Sequence, residues 1–407
     1  MQAPLDLNEF FDKAKKYILE HKIEGVVSIT DTYSMMHAAL SDALPETIRG
    51  PSLEAAFLTL NKHYTHLYAD PDPVANFSID LDGDIESQLR AHGEPQFPLF
   101  TKPAAGTASA FTAKVDSKKD LISALKRQST ELKAQSENLH SFLSARSKKL
   151  TTKFTYALKD LALVEEYVPE TTKITVDGYI SGGVPTLFAI VDNNYWTDRP
   201  DAFESCTFPS ILCEKTQQRA KDLFFEVVGK IKDRGFDNQL IDVEMFVRSD
   251  GRVQVMEVNG RMFGQFIDVY KKTLHNGDNF ELATKLSLGE TPEPISSNGR
   301  FGGNFYISTY GSGRASELLN FEKIESLKED VAGAFSDVDI EVDRLKYTPD
   351  SFVPSAGAEG NCLFMCNIVG PDRDSVTKAA AMVREMVLKK PHLSAGFETS
   401  GGFLHKV

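Results

Sequence analysis

At 407 residues the chain exceeds the roughly 250 to 300 that one hydrophobic core can serve, leaving room for roughly two to four domains. With 45 Lys and Arg against 58 Asp and Glu, its net charge of -13 repels nucleic acid and anionic membrane surfaces, and neither is expected as a partner. No apolar run approaches the roughly 18 residues of a membrane span, the start MQAPLDLNEFF lacks a signal-peptide pattern, and 4 cysteines point to a reducing cytoplasm instead of a disulfide scaffold.

Residues 7–21 carry apolar side chains at helical spacing, and KIEGVVSITD reads as a helix exit followed by a buried strand ending at Asp31, an αβ unit of an open sheet. SMMHAALSDAL continues as a helix, and GPSLEAAFLTLNKHYTHLY supplies another, with His63 and His66 beside Lys62 read as surface residues. The prolines and acids of ADPDPVANFSIDLDGD predict a linker or exposed loop; its DLDGD places glycine fourth where a calcium loop requires it sixth. FPLFTKP is a short strand stopped by Pro103, AAGTASAF a turn of small residues, and TAKV a second strand. Ser117 with Asp120 then forms a capping box opening a long polar helix whose thin apolar stripe suits a solvated surface helix or, functionally, a mobile lid.

FTYALKDLALVEEYV and ITVDGYISGGVPTLFAIVDN are strand-rich, the second a hairpin about Ser181-Gly182-Gly183. Residues 216–234 form an amphipathic helix ending at Gly235, and DNFELATKLSLGE another. The prolines of TPEPISSNG mark a boundary near 295; beyond it three strand-like segments and the helix DRDSVTKAAAMVREMVLKK predict a small α+β cap. The cysteine spacings, seven between Cys206 and Cys213 and four between Cys362 and Cys366, match no zinc site.

Between the helix at 216–234 and the helix DNFELATKLSLGE lies IDVEMFVRSDGRVQVMEVNGRMFG. Asp250-Gly251 flanked by alternating apolar residues predicts a two-residue hairpin turn that pairs Arg248 with Val253, Phe246 with Val255 and Glu244 with Glu257. Two carboxylates directly opposite are destabilising unless a cation lies between them or one is protonated. Asn259 and Arg261 share the face of Glu257, because side chains alternate along a strand. Two carboxylates, an amide oxygen and a guanidinium on one surface read as a magnesium-phosphate platform.

Lys102 stands before a turn of small residues that leads into a strand, the wrong context for a Walker loop or a Rossmann fingerprint, yet such a turn can lay backbone N-H groups over phosphate oxygens. The ordered set KP...G-T-x-S, VEEYV, ITVDG and E...E-x-N-G-R, from about Lys62 to Gly264, resembles the ATP-grasp superfamily and, within it, carboxylate-amine ligases of the L-amino acid ligase type. The resemblance implies an α/β and α+β multidomain ATP-grasp fold: a reduced N-terminal open-sheet domain (1–95), a mobile lid (96–168), a core with the metal site (169–294) and a C-terminal α+β cap (295–407). It implies ATP and one or two Mg2+ ions, with Mn2+ as a substitute, and small-molecule acid and amine substrates joined through an acyl phosphate. A homodimer is compatible with it.

On the same resemblance Lys62 and Lys102 touch the ATP phosphates, Gly106 and Ser109 belong to the phosphate loop, and Glu165, Tyr167 and Val168 border the adenine. Glu244, Glu257 and Asn259 hold the metal, and Arg261 steadies the transferred phosphate. The chain departs from the pattern at three places. Ala108 and Ala110 occupy loop positions where glycine or a basic residue is common; Lys173 replaces the acid four positions before Asp177, leaving the ribose to Glu170 or water; and the stretch ahead of Lys62 is shorter, as in a truncated or reduced first domain. The rival readings are a non-catalytic ATP-binding scaffold and a carboxylase that phosphorylates bicarbonate.

Overall fold

The computed structural model describes residues 6–106, 111–169, 171–196, 203–356 and 360–394. Four helices open it: α1 (Leu7–His21), α2 (Asp31–Ala43), α3 (Leu53–Leu60) and α4 (Lys62–Tyr68). The Asp6 carboxylate caps α1 by accepting from the Asn8 and Glu9 amides, and Asn61 caps α4. The strand expected before Asp31 is not formed. Val27 and Ile29 are 40% and 48% exposed, and no strand occurs among the described residues before Asn76, so the first unit is helical rather than an open sheet. β-branched residues favour an extended backbone, but extension becomes a strand only when a neighbour supplies the ladder.

A four-stranded antiparallel sheet follows, in the order β1 (Asn76–Asp80), β4 (Leu161–Glu166), β2 (Leu99–Pro103), β3 (Ala113–Val115). β1 lies within the stretch expected to be a linker; Phe77 and Ile79 pair along β4 and pack with the short helix α5 (Ile85–Ala91). The long helix α6 (Lys118–Arg146) starts on the expected Ser117 cap. It is not a solvated surface helix. Leu121 and Leu125 pack on the four-stranded sheet, whereas Phe142 and Leu143 enter the core of α1 to α4. Its apolar residues are concentrated towards its two ends, so an average over its length reads as polar while each end is anchored. The short helix α7 (Lys148–Lys153) leads back to β4.

The second sheet has eight antiparallel strands. β5 (Thr172–Ser181) and β6 (Val184–Tyr195) form the expected hairpin, with Gly182 and Gly183 at φ 57° and 76° in the turn. β7 (Phe203–Phe208) flanks β6, while β8 (Gln239–Val247) and β9 (Val253–Asn259) extend the other side of β5. The C-terminal strands Phe301–Thr309, Asp339–Leu345 and Asn361–Gly370 continue this sheet through β7, with helices Phe321–Ala334 and Arg373–Val387 over a core of their own.

The alternation in ITVDG divides the two faces of the large sheet. Ile174 and Val176 turn to the helix α8 (Glu214–Lys232), whose Phe224, Val227, Val228 and Ile231 are fully buried against them. Thr175 and Asp177 turn the other way and begin the polar face on which the site stands. Among the described residues no helix is long and apolar enough to cross a membrane.

Candidate active site

Glu244 and Glu257 are opposite each other, as are Asp242 and Asn259. The route to that register differs from the expected one. The turn holds three residues, Ser249, Asp250 and Gly251, with Arg248 N donating to Arg252 O at 2.9 Å and Gly251 at φ 77°. This is the three-residue hairpin loop with glycine in the left-handed position. Val247 therefore pairs with Val253 and Phe246 with Gln254, in place of Arg248 with Val253 and Phe246 with Val255. A bulge at Met256 then inserts one residue into β9 and restores the carboxylate pairing.

The bulge also has a partner. Lys102 Nζ, from the end of β2, donates to the Met256 carbonyl at 3.1 Å and meets Glu165 Oε1 at 3.0 Å. Lys62, at the start of α4, meets Glu257 Oε2 at 2.9 Å and donates to Gly106 O at 2.7 Å; its own amide donates to Ala104 O. Arg261 bonds Asp242 and lies 3.3 Å from Asp31. Asn259 Nδ2 donates to Asp242 Oδ1 at 2.8 Å and Glu244 Oε1 at 3.2 Å, so its amide oxygen remains for another group.

Carboxylates outnumber cations here, and their proton affinities are driven apart. Burial, Glu257 and Asp242 push Glu244 well above the usual carboxylate range. Burial would raise Glu257 too, but Lys62 and Lys102 outweigh it and bring it down to about 2. Burial takes Asp242 up to about 8 against the opposing pull of Arg261, and Asp177 up to about 7 although Tyr270 donates to it. Burial works against the Arg261 charge, which Asp242, Asp31 and the two glutamates more than restore.

The donor set fits a hard divalent ion: two carboxylates and an amide oxygen, one carboxylate holding its charge and the other resisting it through burial and its acidic neighbours. Among the described residues no three His, Cys, Asp or Glu side chains converge to hold an ion by themselves. Magnesium commonly takes one or two carboxylates and completes its shell with water and phosphate oxygens. A cavity of 420 Å³ borders the loop at Gly106 and is also lined by Thr30, Asn61, Asn138, His140 and Asp160; neither glutamate forms its wall.

The structure thus brings Lys62, Lys102, Gly106, Glu165, Glu244, Glu257, Asn259 and Arg261 together. Tyr167 follows β4, its amide donating to Pro98 O at 3.2 Å and its ring lying 4.7 Å from Lys114 Nζ, with half-buried Val168 next. Ser109 and Glu170 lie outside the described residues, as do Ala108 and Ala110.

Sequence reasoning missed Asp242, Asp31 and His66. Asp242 was within reach, since it precedes Glu244 by two and alternation puts both on one face. His66, read as a surface residue, is 5% exposed: Nδ1 is 2.8 Å from Asp70 Oδ2, and Nε2 is 3.3 Å from Glu165 Oε1. The i, i+4 spacing of Lys62, His66 and Asp70 carried that signal.

Burial disfavours the His66 charge, but Asp70 and Glu165 outweigh both it and the opposing Lys102, so its pKa lies above the ordinary 6.5. A group whose pKa is raised by folding gives stability that is full below its unfolded pKa and lost as pH rises through the folded one. Melting temperature should therefore fall above pH 6.5 with a component absent from His66→Gln. Parallel melting profiles for the two proteins would contradict a charged His66.

Residues 95–269 match the ATP-grasp domain model. They form an ATP-grasp domain. The surrounding fold agrees: an L-amino acid ligase from Bacillus licheniformis superimposes with a TM-score of 0.70 at 15% identity, over 93% of this chain and 84% of that one. Phosphoribosylglycinamide synthetase from Anaerococcus prevotii gives 0.60 at 13%, over 95% and 87%, and biotin carboxylase from Campylobacter jejuni 0.59 at 16%, over 94% and 80%. At such identities the likeness is one of fold. No curated protein matches the chain in sequence.

Proposed function

We propose that this ATP-grasp protein is an ATP-dependent carboxylate-amine ligase that forms an amide through an acyl phosphate, acting on an amino acid or a small natural-product acid in the cytoplasm. The observation that carries the reading is the pairing of Glu244 with Glu257 beneath Lys62, Lys102, Asn259 and Arg261. A substrate carboxylate oxygen attacks the γ-phosphorus of ATP and ADP leaves. The amine nitrogen then attacks the acyl carbon, phosphate departs, and the nitrogen gives up its proton to give the amide.

In this reading Lys62 and Lys102 bind the phosphates, and Arg261 steadies the phosphoryl group as charge spreads over its oxygens. Glu244, Glu257 and Asn259 would hold Mg2+, or Mn2+ in its place, which would neutralise charge on bridging phosphate oxygens. The backbone of Tyr167 and Val168 would border the adenine, although the Tyr167 amide is already engaged by Pro98. The four-stranded sheet with α6 would act as a lid that excludes water, which otherwise hydrolyses the acyl phosphate. The 420 Å³ cavity beside Gly106 is of a size to admit a small acid or amine.

The test is a screen of acid and amine pairs for ADP and phosphate release with ATP and Mg2+. Release that requires both an acid and an amine supports the ligase. Release that requires biotin and bicarbonate, or none with any pair, would overturn it.

A further inference from the structure

A second line of buried charge runs away from the metal-facing carboxylates. Asp70, His66, Glu165 and Lys102 follow one another at 2.8, 3.3 and 3.0 Å, and Lys102 ends on the Met256 carbonyl at 3.1 Å. Their side chains are 0%, 3%, 4% and 6% exposed. Burying four ionisable groups is costly unless each is paired, and a lysine near phosphate does not need three other charges behind it to be held in place.

Two details give the line a direction. Glu165 Oε1 is shared, facing His66 on one side and Lys102 on the other. Of the three donors on the Lys102 ammonium, one goes to Glu165 and one to Met256, which leaves a third. Without His66, the whole charge of Glu165 would fall on Lys102 and cancel the attraction it offers to an anion. With Asp70 fixing Nδ1, the other ring nitrogen lies 3.3 Å from Glu165 Oε1, within range of charge attraction though not aligned as a hydrogen bond, and takes a share of that charge.

We infer that His66, oriented by Asp70, is a positioning residue for the nucleotide: it shares the Glu165 carboxylate so that Lys102 keeps charge and a donor for a phosphate oxygen. This rests on the reading in which Lys102 binds ATP.

The experiment is a double-mutant cycle on the full chain, with the Kd of Mg-ATP measured by titration calorimetry. His66→Gln should weaken binding by about 10- to 100-fold, and Asp70→Asn should act in the same direction. In a Lys102→Ala background the effect of His66→Gln should shrink to less than about twofold, because the group it acts through is gone. His63→Gln, on the same helix with its ring 2.8 Å from Ser78 Oγ, should leave Kd unchanged.

A His66→Gln effect equal in both backgrounds, or none while Lys102→Ala weakens binding, overturns this inference alone. No binding by the unaltered chain, or none of it lost in Lys102→Ala, overturns the role given to Lys102 and this inference with it. Should His66→Gln fail to stay folded, Asp70→Asn, which keeps the side-chain shape, carries the same cycle.

Discussion

Glu257→Gln should lower ADP release by about 100- to 1,000-fold while changing the melting temperature little. Glu257 is held at a pKa of about 2 by its lysines and so carries its charge at any working pH, whereas Glu244 opposite resists ionising. Glutamine keeps the shape and one oxygen but removes the only firm negative charge of the pair, and a hard divalent ion loses its strongest ligand. Two effects on stability oppose each other: Lys62 loses its ion pair but keeps the Gly106 carbonyl, and Glu244 loses the neighbouring charge that opposes its own ionisation. Activity and stability should therefore separate. The check is a coupled ADP assay across a Mg2+ series beside a thermal melt; turnover at the unaltered rate would place the metal elsewhere.

The site shows which parts of such a fold can be read from a sequence and which cannot. Alternation along a strand is local, so Glu257, Asn259 and the existence of the β8-β9 hairpin were legible, as was Ser117 as a helix cap. Loop length and bulges are set by tertiary packing. The hairpin has a longer turn than expected and an extra residue at Met256, and these offset each other, so the carboxylates face each other although the pairs nearer the turn are displaced.

The bulge was invisible because nothing in VQVMEV marks it, yet it turns the Met256 carbonyl to Lys102. The missing N-terminal strand and the two-ended anchoring of α6 share a cause: whether Val27 or Phe142 finds a neighbour depends on segments far away in the chain. Asp31 reaches Arg261 by that kind of meeting, and no spacing announces it.

Gly260→Ala tests how tightly that meeting fixes the site. Gly260 stands between Asn259 and Arg261, and its carbonyl accepts from Ser34 Oγ at 3.0 Å. A Cβ there would lie 2.5 Å from Thr59 Oγ1 and 3.0 Å from Phe236 Cε2. Both neighbours are buried, and Thr59 is held by its bond to Ala56 O at 2.9 Å, so neither yields freely. The strand must shift instead, carrying Asn259 away from Asp242 and Arg261 away from Asp31. Overpacking of this kind costs about 1 to 3 kcal/mol, and a displacement near 1 Å at a positioning residue costs about 100-fold in turnover. Thr59→Ala combined with Gly260→Ala removes the closer clash and should recover most of both losses, read as ADP release and melting temperature. Failure of the pair to recover activity would mean that the end of β9 is not held against α3 in the way the packing of Gly260 requires.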